Sequence, residues 1–101
     1  MAMTDEQKLI ADLNATFKNA DARPLSSWWN KPDAVGAAVC GEAEFAPDEP
    51  IGPYIPCTDA PYDGYLHTGF ARWAESRGWH VEVYEPGVLF LVPLSSVGCL
   101  I

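Results

Sequence analysis

Proline recurs at every third position from Pro47 to Pro56, and Pro61 follows five residues later. A residue with no backbone N–H and a locked φ removes helical hydrogen bonds and sheet-ladder donors alike. This spacing commits residues 42–60 to extended, irregular or polyproline-like chain. A loop of that length is uncommon in a 101-residue chain and is usually functional or disordered. Phe45, Ile51, Tyr54 and Ile55 lie among the prolines and can pack down onto a core, so an ordered loop is expected.

Regular structure is expected on both sides of this loop. Thr4-Asp5-Glu6-Gln7 is a capping box, and Leu9, Ile10, Leu13, Phe17 and Ala20 form one apolar stripe at helical spacing. A helix over 4–22 follows, closed by Pro24 and its restriction on Arg23. A second helix is expected over 61–77, capped by Thr58 or Asp59, with Pro61 in its first turn. Tyr62, Leu66, Phe70 and Trp73 would share its buried face. Arg77-Gly78-Trp79 reads as its stop.

Trp79, Val81 and Val83 then alternate with polar or amphipathic residues. Glu85-Pro86-Gly87 supplies a turn and Val88–Val92 an apolar run, which together predict a hairpin over 79–92. Residues 25–41 are ambiguous: Asn30 and Lys31-Pro32-Asp33 can open a short helix closed by Gly41, the preferred reading. The run Ala34–Cys40 also fits a buried strand. Val97–Ile101 reads as a further strand or a docked tail. The expected fold is one α+β domain, with two main helices packed on a small antiparallel sheet that ends in a C-terminal β-hairpin.

Charge excludes more than it identifies. A formal net charge of −8 disfavours direct contact with a nucleic-acid backbone or an anionic membrane. The residues after Met1 lead into an acidic, helix-forming segment rather than the basic start and apolar run of a signal peptide. Cys40, Cys57 and Cys99 are odd in number and widely spaced, unlike a secreted disulfide scaffold. A cytoplasmic protein with reduced thiols is expected.

No arrangement of residues spells a reaction. Cys40, Cys57, His67 and His80 are separated by 16, 9 and 12 intervening residues, which encodes no local metal clamp. Asp63 and His67 are four apart and, on a helix, would form an ordinary edge contact. No cation neighbours Cys40 or Cys57 to activate a thiolate. Paired carboxylates such as Glu42 with Glu44 are solvated alike and lack the split environments of an acid–base pair. No catalytic residue, metal ligand or cofactor is therefore expected. A small Cys/His enzyme or metal protein stays as the rival reading.

The distribution of charge is more specific than its total. Residues 32–71 contain no Lys or Arg and hold seven acids, Asp33, Glu42, Glu44, Asp48, Glu49, Asp59 and Asp63, so this stretch carries −7 of the net −8. Six of those acids fall in or beside the proline-rich loop, which predicts a negative surface aimed at a basic partner. Trp28 and Trp29 are adjacent and cannot both face one core from a regular element, so one is expected as an exposed anchor. The predicted partner-binding set is Glu42, Glu44, Asp48, Glu49, Asp59, Asp63, Trp28 and Trp29.

In size, composition and acidic surface the chain resembles small anti-defence proteins of phages and mobile elements, the anti-CRISPR proteins and DNA mimics. That resemblance implies a stoichiometric inhibitor that binds a basic, nucleic-acid-binding effector complex. It rests on type rather than on a motif, so no family residue is carried over. An antitoxin or immunity protein against a nuclease toxin would need the same electrostatics. A scaffold protein pairing through the Val88–Val92 edge is a further alternative.

Overall fold

The computed structural model describes residues 4–29 and 34–94, apart from the side chain of Trp29. Helix α1 spans Asp5–Thr16 and opens on the expected capping box. The Thr4 amide donates to Gln7 Oε1 at 2.9 Å, and the Gln7 amide donates to Thr4 Oγ1 at 3.1 Å. The helix is shorter than the expected 4–22. Asn19 and Asp21 have φ of 67° and 46°, left-handed conformations that no α-helix contains. Asn14 secures the exit: its side chain both accepts from the Ala22 amide (2.7 Å) and donates to the Ala22 carbonyl (3.3 Å). Phe17 and Ala20 remain buried, as their place on the stripe requires, but reach the core from a turn.

Two residues of strand, β1 (Arg23–Pro24), lead into the short helix α2 (Leu25–Trp29). The preferred helix before Gly41 is not formed. Ala37–Cys40 is strand β2, paired to β1 on one side and to the C-terminal hairpin on the other. Burial on both faces explains its small apolar composition, which mimics a helical run. Residues 30–33, the expected start of that helix, lie outside the described residues, as do Val97–Ile101 and Cys99.

The proline-rich stretch is ordered, as expected, and contains a small hairpin, β3 (Glu44–Ala46) with β4 (Glu49–Pro50). Pro47 and Asp48 form the tip, Asp48 taking φ 63°, a value that Asp tolerates better than most residues.

The second helix is also shorter than predicted. Residues 61–67 form another small hairpin, β5 (Tyr62–Asp63) with β6 (Leu66–His67), turned at Gly64 with φ 66°. Gly64-Tyr65 is a two-residue hairpin loop with Gly at its first position, and this turn outweighs the helical spacing of Tyr62 and Leu66. Helix α3 is Thr68–Glu75, and its cap is His67 rather than Thr58 or Asp59. It closes as predicted on Gly78, φ 86°, with Trp79 buried behind it.

Strands β7 (Trp79–Glu85) and β8 (Val88–Pro93) form the predicted hairpin, completing a four-stranded antiparallel sheet in the order β1-β2-β8-β7. β8 is central, paired to β2 and β7, so the Val88–Val92 edge is not available to a second subunit. Leu9, Leu13 and Phe17 of the α1 segment and Phe70 and Ala74 of α3 pack with one sheet face through Ala37, Val39, Trp79, Val81, Leu89 and Leu91. The opposite face carries a smaller cluster of Leu25, Ala38 and Phe90 beside α2. The architecture is the expected compact α+β domain. Among the described residues, no helix is long and apolar enough to cross a membrane.

Candidate functional site

Backbone contacts seat the acidic loop on the tip of the β7–β8 hairpin. The Gly41 amide donates to the Gly87 carbonyl at 2.8 Å, and the Gly52 amide to the Gly41 carbonyl at 3.0 Å. The Ile51 amide reaches Ala43 at 2.8 Å and anchors a fully buried Ile51 side chain. Gly41 and Gly87 must be small here: a Cβ on Gly41 would stand 2.8 Å from the Gly87 Cα, and one on Gly87 would enter the ring of Tyr54.

A second clamp uses side chains. His67 is 2% exposed, and its Nε2 meets Glu49 Oε1 at 2.9 Å. Its Nδ1 accepts the amides of Gly69 at 3.0 Å and Phe70 at 3.3 Å, capping α3. Nδ1 therefore carries no proton, and Nε2–H donates to the carboxylate. Phe45 stacks on the imidazole at 4.3 Å, and Tyr62 meets it edge-on at 5.2 Å while donating to the Pro50 carbonyl at 2.8 Å. Through Phe45 the stack continues to Phe17 and then to Phe70 and Trp73 of the core. Burial first, then the charge of Glu49 and the proximity of Cys57, raise the Tyr62 phenol above its ordinary 10.0.

These two clamps present the predicted acids to solvent. Glu42, Asp48, Asp59 and Asp63 are exposed and Glu44 is half-buried. Among the described residues, no Lys or Arg forms an ion pair with any of them; Arg23 pairs with Asp21, outside the segment. Two of the acids have an oxygen committed within the protein: Glu49 to His67, although its side chain is still 42% exposed, and Glu44, whose Oε1 accepts from the Asp48 amide at 3.3 Å. Asp63 and His67 do not share a helical edge. They sit on opposite strands of the β5–β6 hairpin, one exposed and one buried.

Tyr54 and Ile55 depart from expectation. Both were expected to pack inward, yet they are 57% and 78% exposed. They lie between Pro53 and Pro56, where the chain bends instead of running flat along the core. Tyr54 is the shared wall of two surface grooves. The larger, about 520 Å³, has Pro50, Pro53 and Ile55 as apolar surfaces and Glu42 and Glu44 as its carboxylates. The smaller, about 280 Å³, runs from Tyr54 to Trp28 over Cys40 and Val88. Repulsion by Glu42, followed by desolvation, the neighbouring Cys40 and a hydrogen bond to Glu42, raises the Tyr54 phenol above 10.0.

Trp28, one of the two tryptophans expected as an anchor, is 44% exposed and meets Phe90 and Tyr84 edge-on at 6.1 and 6.4 Å. Trp29's side chain falls outside the described residues. The structure thus joins Glu42, Glu44 and Trp28 through Tyr54, which sequence reasoning had assigned to the core.

The chemistry expected for a Cys/His site is not assembled among the described residues. Cys40 and Cys57 are free thiols, and Cys57 Sγ meets the Asp59 carbonyl at 3.9 Å. No three His, Cys, Asp or Glu side chains converge there as metal ligands. Both nitrogens of His67 are engaged, so the ring offers no free lone pair to a substrate. No family model matches the chain, nor does any curated protein or solved structure.

Proposed function

We propose that this protein acts in the cytoplasm by stoichiometric binding, as an inhibitor of a basic nucleic-acid-binding protein or effector complex in the manner of an anti-CRISPR protein. One observation carries this reading: the solvent-facing acids of the proline-rich segment have no Lys or Arg partner among the described residues and share that segment with exposed Tyr54 and Ile55. Exposed acids alone would serve solubility. Acids around exposed apolar side chains supply both parts of a specific interface, since the charge raises the association rate and orients the partner while aromatic anchors that become buried slow its release. A negative surface of this kind competes for the cationic site that the partner uses for phosphates.

The test is capture of the partner by the full chain from host lysate at low salt, with identification by mass, followed by binding kinetics at increasing ionic strength. Glu42→Gln, Glu44→Gln, Asp48→Asn and Asp59→Asn together should slow association by about tenfold or more and flatten its salt dependence. Glu49 is left intact because it also holds His67. Binding indifferent to salt and to the four changes would overturn the proposal. Capture of a nuclease toxin in place of an effector complex would reassign the protein as an antitoxin or immunity protein.

A further inference from the structure

We infer that the groove beside Tyr54 is a receptor for an arginine side chain presented by the partner protein, with the guanidinium between Glu42 and Glu44 and the aliphatic stem along Pro50, Pro53 and Ile55. This inference rests on the binding function proposed above and names the residue that the interface recognises.

Three features of the groove select that occupant. Its walls are largely apolar, yet Glu42 and Glu44 line it with no Lys or Arg partner among the described residues. The Tyr54 phenol bonds to Glu42, and Glu44 Oε1 accepts from the Asp48 amide at 3.3 Å, which leaves both negative charges unneutralised. A purely apolar occupant would desolvate those carboxylates with no compensating charge, which is costly, and an anionic one would be repelled. A cation is required, and it must bring apolar surface with it.

Arginine satisfies both demands better than lysine. Its guanidinium is more weakly hydrated, donates in a planar fork suited to carboxylates and stacks on aromatic rings, whereas an ammonium holds its water tightly. Tyr54 offers such a ring, 57% exposed, and its position is set from behind by Gly87. The Glu42 carboxylate lies next to the same phenol, so ring and charge act on one bound group. The methylene stem covers the proline and isoleucine surfaces while the head remains on the carboxylates. The glycine contacts Gly41–Gly87 and Gly41–Gly52 hold the groove in shape before the partner arrives, which lowers the ordering cost of binding.

The full-length, isotope-labelled chain titrated with the capped peptides Ac-Gly-Arg-Gly-NH2 and Ac-Gly-Lys-Gly-NH2 tests this directly, reading amide chemical shifts. The arginine peptide should shift Gly41, Glu42, Gly52, Tyr54 and Ile55 and bind about fivefold or more tightly than the lysine peptide. Glu42→Gln with Glu44→Gln should weaken it by about tenfold or more, and Tyr54→Leu by about threefold or more. Both sets of changes are at exposed or half-buried positions, and unchanged amide spectra elsewhere verify that the fold is kept. Equal affinity for the two peptides, shifts spread over Asp5, Glu6 and Asp12 as well, or groove shifts that survive the Glu42/Glu44 changes would overturn the arginine site. A lost arginine site with salt-dependent capture intact leaves the binding function standing; the reverse result refutes that function and keeps the groove.

Discussion

The carboxylate of Glu49 accepts a hydrogen bond from the buried imidazole of His67 at 2.9 Å, and this one contact ties the proline-rich loop to the start of α3. Proline-rich chain has few amide donors of its own with which to anchor itself. Here an imidazole provides a donor toward the loop and an acceptor toward the helix, so both segments share one buried group. The aromatic stack through Phe45 to Phe17 extends that junction into the core. The acidic surface is held in place by the same residue that caps the helix.

Replacing His67 should expose both roles. His67→Ala removes a helix cap, a hydrogen bond to a carboxylate and a buried ring, and is expected to cost about 3 kcal/mol. His67→Asn keeps an acceptor near the position of Nδ1 and should recover about 1 kcal/mol of that loss. Glu49→Gln retains an oxygen that can accept from Nε2–H and should cost under about 1 kcal/mol. Urea unfolding midpoints of the three variants check the order, which fails if the Asn and Ala variants are equally unstable.

Gly87 has two reasons to be glycine, a φ of 88° and the Tyr54 ring against its Cα. Gly87→Ala is expected to destabilise the fold by about 1–2 kcal/mol through the backbone alone and to displace Tyr54. Tyr54→Ala in the same background should relieve the collision but not the backbone strain. A double-mutant cycle in urea therefore should show coupling between the two sites; strictly additive losses would mean that the ring does not rest there.

The legible parts of the fold were those with a local physical signal. Thr4-Asp5-Glu6-Gln7 specified a helix start through its own side chains, and Arg77-Gly78-Trp79 a helix end through a glycine that takes φ 86°. Both survived. The errors arose where one pattern served two geometries. Tyr62 and Leu66 have helical spacing with Phe70, but Gly64-Tyr65 turns the chain between them, and the pairing of Tyr62 with His67 supersedes the stripe. Ala37–Cys40 is short and wholly apolar, so periodicity had nothing to measure, and only the partners β1 and β8 make it a strand. The acids of the candidate site were visible because net charge needs no fold. Tyr54 was not, because its exposure depends on Gly87, which is 33 residues away in sequence.

Asn14 makes a test of long-range closure, since it satisfies both backbone groups of Ala22 from one turn of α1. Asn14→Ala should leave the part-buried Ala22 amide and carbonyl without those partners, at a cost of about 2 kcal/mol. Asn14→Asp retains the acceptor for the amide but no donor for the carbonyl and should fall between wild type and Ala. Hydrogen exchange at Ala22 reports the effect locally, with faster exchange expected in Asn14→Ala and protection partly kept in Asn14→Asp.

Two phenols titrate late for different reasons, and their separation reads the electrostatics of the loop. Tyr62 is raised chiefly by burial and Tyr54 chiefly by the Glu42 carboxylate. Each binds its proton more tightly in the folded than in the unfolded chain. The stability they contribute is therefore fully present below about pH 10 and is lost as pH rises through the folded-state values. Absorbance titration near 295 nm, where tyrosinate absorbs, should show a late-titrating fraction that Tyr54→Phe and Tyr62→Phe each diminish. Glu42→Gln should return Tyr54 toward 10 and leave Tyr62 late, because the glutamate beside Tyr62 is Glu49. If Glu42→Gln left the Tyr54 titration in place, the carboxylate would not be acting on that ring, and the pairing of charge with aromatic surface in the groove would fail with it.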